Sequence, residues 1–277
     1  MQAGPSSGLS LMQHLLPSIA AAWRDWWSGT RNVRGWWTLA RYDIVLRYRR
    51  SMLGPLWLTI SMGLMLLGIG PLYTELFGVS KSEFFPHLAL GIIFWQYFAG
   101  TINDGCTAFS AAANHIKQGD NPLAVFGWRV WARNLIQFAH HIVLVVPIAI
   151  WAGIGPAPAN LLFFAGFPIV LANLLAATFT LGIVCARFRD VPPIVSSLMQ
   201  FLMFVTPVFW LPDKLPPKGR LLLLNPFAQL LDVVRGPLLD RAPPPGVWAS
   251  ILGWTILNVA VAAIIYARKR SQVVYWL

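Results

Sequence analysis

Arg47, Arg49 and Arg50, with Tyr48 among them, place three guanidinium groups within four positions of the sequence. Guanidinium forks match phosphate oxygens. The cluster therefore suits anionic lipid headgroups, at about 1 kcal/mol per basic residue near a negative surface, and equally the diphosphate of a lipid-linked substrate at a lateral entrance. Asp104 stands inside an apolar stretch, where a carboxylate is costly enough to count as a functional candidate. Close to an end of that stretch it would instead hydrogen-bond a neighbouring helix. His140 and His141 have the right type for a proton relay, but no chain of acids accompanies them, which favours polar contacts between helices. The run NHIKQGDNP, Asn114 to Pro122, contains the helix-terminating Gly119 and Pro122. It reads as a plain connector, or as a short helix placed to dock a partner.

Other chemistries lack their residues. There is no G-x-x-x-x-G-K-[ST] phosphate loop, and no Gly-Lys pair occurs at all, so the chain cannot itself be an ATPase. It has no H-E-x-x-H run, no metal-spaced Cys and His cluster and no G-x-S-x-G elbow. We therefore expect no catalytic residue, no metal site and no cofactor in this chain. Cys106 and Cys185 are too few for a disulfide framework and suit buried, reduced thiols.

The elements that position these residues follow from composition. Of the 277 residues, 57% are hydrophobic and only 11% charged, well below the quarter or so expected of a soluble domain. Several apolar stretches reach the 18 or more residues that cross about 30 Å of hydrocarbon as a helix. The net charge of +11 is spread between these stretches and not along one soluble face, so nucleic acid is not the expected partner. The first 30 residues show no long apolar run before a small-residue cleavage site, so no removable leader is expected.

Residues 1–33 read as a flexible or interfacial N-terminal segment, and 34–277 as one transmembrane domain without a visible repeat. From Arg34 to Arg50 a helix would put Trp36, Trp37, Ala40, Ile44 and Tyr48 on one arc, interrupted by Arg47, as expected of a helix lying in the headgroup layer. Six spans follow, at about 55–73, 87–109, 134–152, 161–184, 194–211 and 247–267. Pro55 suits the first turn of the first span. Between spans five and six, Leu221 to Leu224 and Phe227 to Leu239 are too short to cross and read as re-entrant or interfacial helices. With both termini in the cytoplasm, fifteen Lys and Arg lie inside and six outside, five of those six in the long segment before span six. That orientation follows the positive-inside rule.

The stretches RYDIVLRYRRSMLGPLW (41–57), ALGIIFW (89–95), INDGCTAFSAAANHIKQ (102–118), RFRDVPPIV (187–195), TPVFWLPDKLP (206–216) and LNPFAQLLDVVRGPLL (224–239) resemble, in order, the membrane subunits of ABC transporters that export bacterial polysaccharides. That family includes O-antigen, capsule and teichoic-acid exporters. The likeness runs from about Trp23 to the C-terminus. RRSMLGPLW, GCTAF and the IKQ segment are more similar to O-antigen and cell-wall galactan members than to capsule members, and the tryptophan-rich N-terminal extension is similar to some galactan exporters.

The resemblance implies a homodimer of six-helix subunits in the bacterial inner membrane, paired with two copies of a cytosolic nucleotide-binding subunit that holds ATP and Mg. It implies an amphipathic interface helix before span one. It also implies a coupling helix at Asn114, His115, Ile116, Lys117, Gln118 and Asp120, and outer gate helices involving Asn225, Pro226, Phe227, Asp232 and Arg235. The implied substrate is a polysaccharide on a polyprenyl diphosphate, or on a phospholipid in capsule systems. The LGPLW and FRDVPP segments carry no catalytic role in that family. Two other classes would need what the sequence lacks: a membrane enzyme on polyprenyl-linked sugars needs a carboxylate cluster, and an ion-driven transporter needs charged relays or paired broken helices.

Overall fold

A computed structural model describes residues 20–78, 80–119, 121–212 and 224–277, and those residues are helical with no strand among them. Residues 20–31 form α1. The chain continues through α2 (Val33–Arg47), α3 (Leu56–Phe77), α4 (Lys81–Cys106), a 3-10 turn (Ser110–Ala112), α5 (Ala113–Gln118), α6 (Ala124–Ile142) and α7 (Val145–Ala152). It ends with α8 (Leu161–Arg187), α9 (Val191–Val205), α10 (Pro226–Leu238) and α11 (Pro245–Trp276).

Among the described residues, four helical runs are long and apolar enough to cross a membrane: those containing α3, α6 with α7, α8, and α11. The two other expected spans differ for physical reasons. At 26 residues α4 is long enough, but His87, Gln96 and Tyr97 lower its hydropathy. It is also the most enclosed of the long helices among the described residues, with Leu88, Ala89, Ile93, Phe94 and Phe98 fully buried. A helix surrounded by other helices need not match lipid on every face. At 15 residues α9 is apolar but short of the roughly 20 that a perpendicular span requires.

The third expected span starts later than its helix. The helical run begins at Ala124 and not near 134, because Arg129 and Arg133, which punctuate the sequence like loop charges, are neutralised by acids on neighbouring helices. The run breaks after Ile142. Pro147 has no N–H to give to the carbonyl four residues earlier, at Val143, and α7 restarts at Val145. On the neighbouring helix the Thr59 hydroxyl donates to the His140 carbonyl, 2.9 Å away, so α3 is stitched to α6 just before the break.

The main core is built around α4, from α3, α6, α8, α9 and α10. α8 also packs along α11. There Asn173 Nδ2 donates to Thr255 Oγ1 (2.7 Å), and Asn258 Nδ2 donates to Asn173 Oδ1 (3.1 Å). Cys106 and Cys185 are free and buried.

Candidate coupling and gate machinery

Arg47 ends α2, and Tyr48, Arg49 and Arg50 make the turn towards α3. The three arginines are exposed and Tyr48 is half-buried. None of the ion pairs among the described residues uses these arginines. The cluster thus stays available to an anion from outside the chain.

Part of the apolar arc of α2 meets protein. Trp36, Ala40 and Ile44 are its buried residues, and Trp36 stacks on Trp128 of α6 with ring centroids 5.5 Å apart. Trp37, Tyr42, Val45 and Leu46 are exposed on α2 instead. Asn32 starts the helix, its side-chain oxygen accepting from the Gly35 N–H at 3.1 Å.

A polar network on α6 locks this packing. Asp43 of α2 accepts a two-pronged contact from Arg129, at 2.8 Å from Nε and 2.5 Å from Nη2, and a third from Arg133 Nη1 at 3.2 Å. Arg133 Nη2 also donates to Asp104 of α4 at 2.8 Å, and Asn134 Nδ2 joins that carboxylate at 2.9 Å. Residues four apart on a helix share a face, so Arg129 and Arg133 can serve both acids. Asp104 thereby joins two helices near the end of α4, as its hydrogen-bonding reading expects. Asp43 was not singled out by its type. The detectable signal was R-x-x-x-R-N, a spacing that would put both arginines on one helix face, alongside lone acids in two expected helices.

After α4 the 3-10 turn feeds α5, which Gly119 ends at φ +78°, a left-handed conformation that favours glycine. Within α5 only Ile116 is buried, while Asn114, His115, Lys117 and Gln118 are exposed. Ile116 seats in a cluster with Ala22 of α1, Phe179 and Ile183 of α8, and Tyr266 and Val273 of α11. The short helix therefore presents a polar face outward and holds the bundle by one apolar anchor. Asp120 lies outside the described residues.

The five expected gate residues are brought together around α10. Asn225 caps it, Oδ1 accepting from Phe227 N–H at 3.0 Å, while Nδ2 donates to Thr206 Oγ1 at 2.9 Å in the turn after α9. Pro226 occupies the first turn, where its missing N–H costs nothing. Phe227 meets Trp95 of α4 edge-on at 5.8 Å. Asp232 pairs with Arg241 at 2.6 Å. Arg235 is fully buried, and its Nη1 donates to the Pro207 carbonyl at 2.6 Å. Asn160, before α8, donates to the Pro237 carbonyl at 2.6 Å. Of the two short apolar pieces expected in this region, α10 matches the second, and the first falls largely outside the described residues.

The His140 ring nitrogen Nδ1 lies 2.8 Å from the carbonyl of Ile136 in its own helix. Among the described residues no three His, Cys, Asp or Glu side chains gather as a metal would require.

Comparison with known proteins gives the family. The chain is similar to the O-antigen export system permease protein RfbA of Myxococcus xanthus, 25% identical over 240 residues that make up 85% of this chain and 92% of that protein. It is also similar to the protein of the same name from Klebsiella pneumoniae, 24% identical over 195 residues, 68% of this chain and 74% of the relative. Both relatives are named as transporter permeases, not enzymes. The family model described as ABC-2 type transporter matches residues 34–239, and the chain belongs to that family of integral membrane proteins.

Proposed function

We propose that this chain is the membrane subunit of an ATP-driven exporter of a polysaccharide carried on a polyprenyl diphosphate, of the O-antigen type, in the bacterial inner membrane. Two copies form the pathway, each with six spans and cytoplasmic termini, and each pairs with an ABC ATPase subunit that binds ATP and Mg. α4 and α9 complete the six spans, α4 enclosed by neighbours and α9 tilted or extended by the residues after it. The observation that carries the reading is α5. It is a six-residue helix with four exposed polar residues and one buried anchor, joined to the ends of α1, α8 and α11. A push on that face reaches several long helices at once.

In this reading Asn114, His115, Lys117, Gln118 and Asp120 meet the ATPase, and Arg47, Arg49, Arg50 and Tyr48 receive the diphosphate. α10, with Asn225, Pro226, Phe227, Asp232 and Arg235, gates the outer end. A long hydrophilic chain needs a lined path while its anchor stays near hydrocarbon, which an interface between two copies supplies.

The test is ATPase activity of the co-purified complex in lipid, with and without polyprenyl-diphosphate glycan. Stimulation by glycan is expected, and combined Lys117→Ala and Gln118→Ala should abolish the stimulation while the subunits still co-purify. Absence of any complex with the ATPase would contradict the proposal.

The arginine turn gives a second expectation. Replacing Arg47, Arg49 and Arg50 by Gln removes three exposed cations, at about 1 kcal/mol each near an anionic group. The glycan concentration for half-maximal stimulation should rise by roughly a hundredfold. Stability should stay within about 0.5 kcal/mol, as for exposed sites generally. An unchanged half-maximal concentration would remove the diphosphate role from this turn.

A further inference from the structure

α6 begins without a local cap. Leu123 stands at its N-cap position and supplies no side-chain hydrogen bond, while the preceding Pro122 ends the connector from α5. The first N–H groups of a helix need acceptors, and the helix dipole favours a negative charge there. Asp25 of α1 fills this role from 98 residues upstream: Leu123 N–H donates to its Oδ1 and Ala124 N–H to its Oδ2, each at 3.2 Å.

The same carboxylate accepts from the Tyr266 hydroxyl and from Arg270 Nη1, the latter at 2.8 Å, both on α11. Its side chain is only 12% exposed. One largely enclosed carboxylate therefore ties three elements, α1, the start of α6 and α11, at the point where the chain leaves α5. Trp26, one residue on, packs against both Phe179 (4.7 Å between centroids) and Tyr266 (5.8 Å), which also touch each other (5.4 Å), so the chain beside the aspartate is seated on α8 and α11.

We infer that Asp25 is a positioning residue for coupling: it fixes the trailing end of the α5 connector to α11, so that displacement of α5 moves α6 and α11 together. The inference rests on the proposed coupling role of α5 and adds a residue outside that segment. Without the carboxylate the start of α6 loses its cap and its tie to α11. The motion would then be absorbed in the connector.

The experiment measures glycan exported per ATP hydrolysed by the reconstituted complex, together with its melting temperature and subunit ratio. For Asp25→Asn, export per ATP should fall about tenfold, within the usual range for coupling between sites, with the KM for ATP unchanged. Tyr266→Phe, the milder change, should lower the same ratio, and in the Asp25→Asn background should add little, because both act through one contact. Asp25→Glu should restore most of the ratio. If Asp25→Asn lowers only the melting temperature and leaves export per ATP at the wild-type value, Asp25 is merely an anchor and the inference is wrong. A wild-type complex that assembles but shows no glycan-dependent ATPase would instead overturn the coupling reading itself.

Discussion

Replacing Arg133 by Leu should destabilise the protein by about 3 kcal/mol, the lower part of the range for breaking a largely buried ion pair. Arg133 is 17% exposed and serves two acids, Asp43 at 13% and Asp104 at 33% exposed. Removing it leaves Asp104 with Asn134 as its remaining side-chain donor, in a helix otherwise enclosed by apolar residues. At about 2–4 °C per kcal/mol for a chain of this order, the melting temperature in detergent should fall by roughly 6–12 °C. Arg133→Lys should recover only part of this, since an ammonium cannot reach both carboxylates as a planar fork does. Adding Asp104→Asn to Arg133→Leu should recover part as well, by removing the stranded charge. Equal melting of Arg133→Leu and the native protein would mean that the Arg129–Asp43 pair and the tryptophan packing hold α2 without Arg133.

A substitution at Gly166 should have a comparable effect at the other end of the bundle. A Cβ on this α8 glycine would lie 2.3 Å from the Val233 carbonyl oxygen and 3.0 Å from its carbonyl carbon, both backbone atoms of α10. Backbone cannot rotate away as a side chain can, so α10 must move off α8. Overpacking of this kind costs about 1–3 kcal/mol, and Gly166→Val should sit at the upper end. Gly253→Ala is the control, because no atom lies within 4 Å of its added carbon. With α10 as an outer gate, the Gly166→Val complex should hydrolyse ATP while exporting little glycan. Normal export per ATP by that variant would show that the fit of α10 against α8 does not matter to the pathway.

Much of this architecture was readable from residue order because the bilayer imposes a coarse rule on helix length. α10 could be placed within a residue: Asn225-Pro226 is a start signal, and a 13-residue apolar run is too short to cross. α5 was bounded by Gly119 for an equally local reason, the need for a residue tolerant of positive φ. Contacts between helices were not readable in this way. Arg129 and Arg133 looked like boundary charges until Asp43 and Asp104, at least 29 residues away, were seen to neutralise them. Nothing around Asp25 announces that it caps a helix starting near 124, since capping patterns are local and this cap is tertiary. The low hydropathy of α4 has the same origin. Its neighbours are protein, so its sequence answers to packing and not to lipid.

In the proposed function, ATP turnover by a partner subunit drives a lipid-linked glycan across the bilayer through this chain. The most direct measurement uses sealed vesicles holding the complex with its ATP-binding face outward and polyprenyl-diphosphate glycan in the outer leaflet. Glycan reaching the lumen is scored by its protection from an added glycan-cleaving enzyme. Protection should grow with time in ATP and Mg, stop with a non-hydrolysable analogue and be lost in the Lys117→Ala, Gln118→Ala variant. Protection that grows equally without ATP, or none with ATP in vesicles whose complex hydrolyses it, would contradict the proposed function.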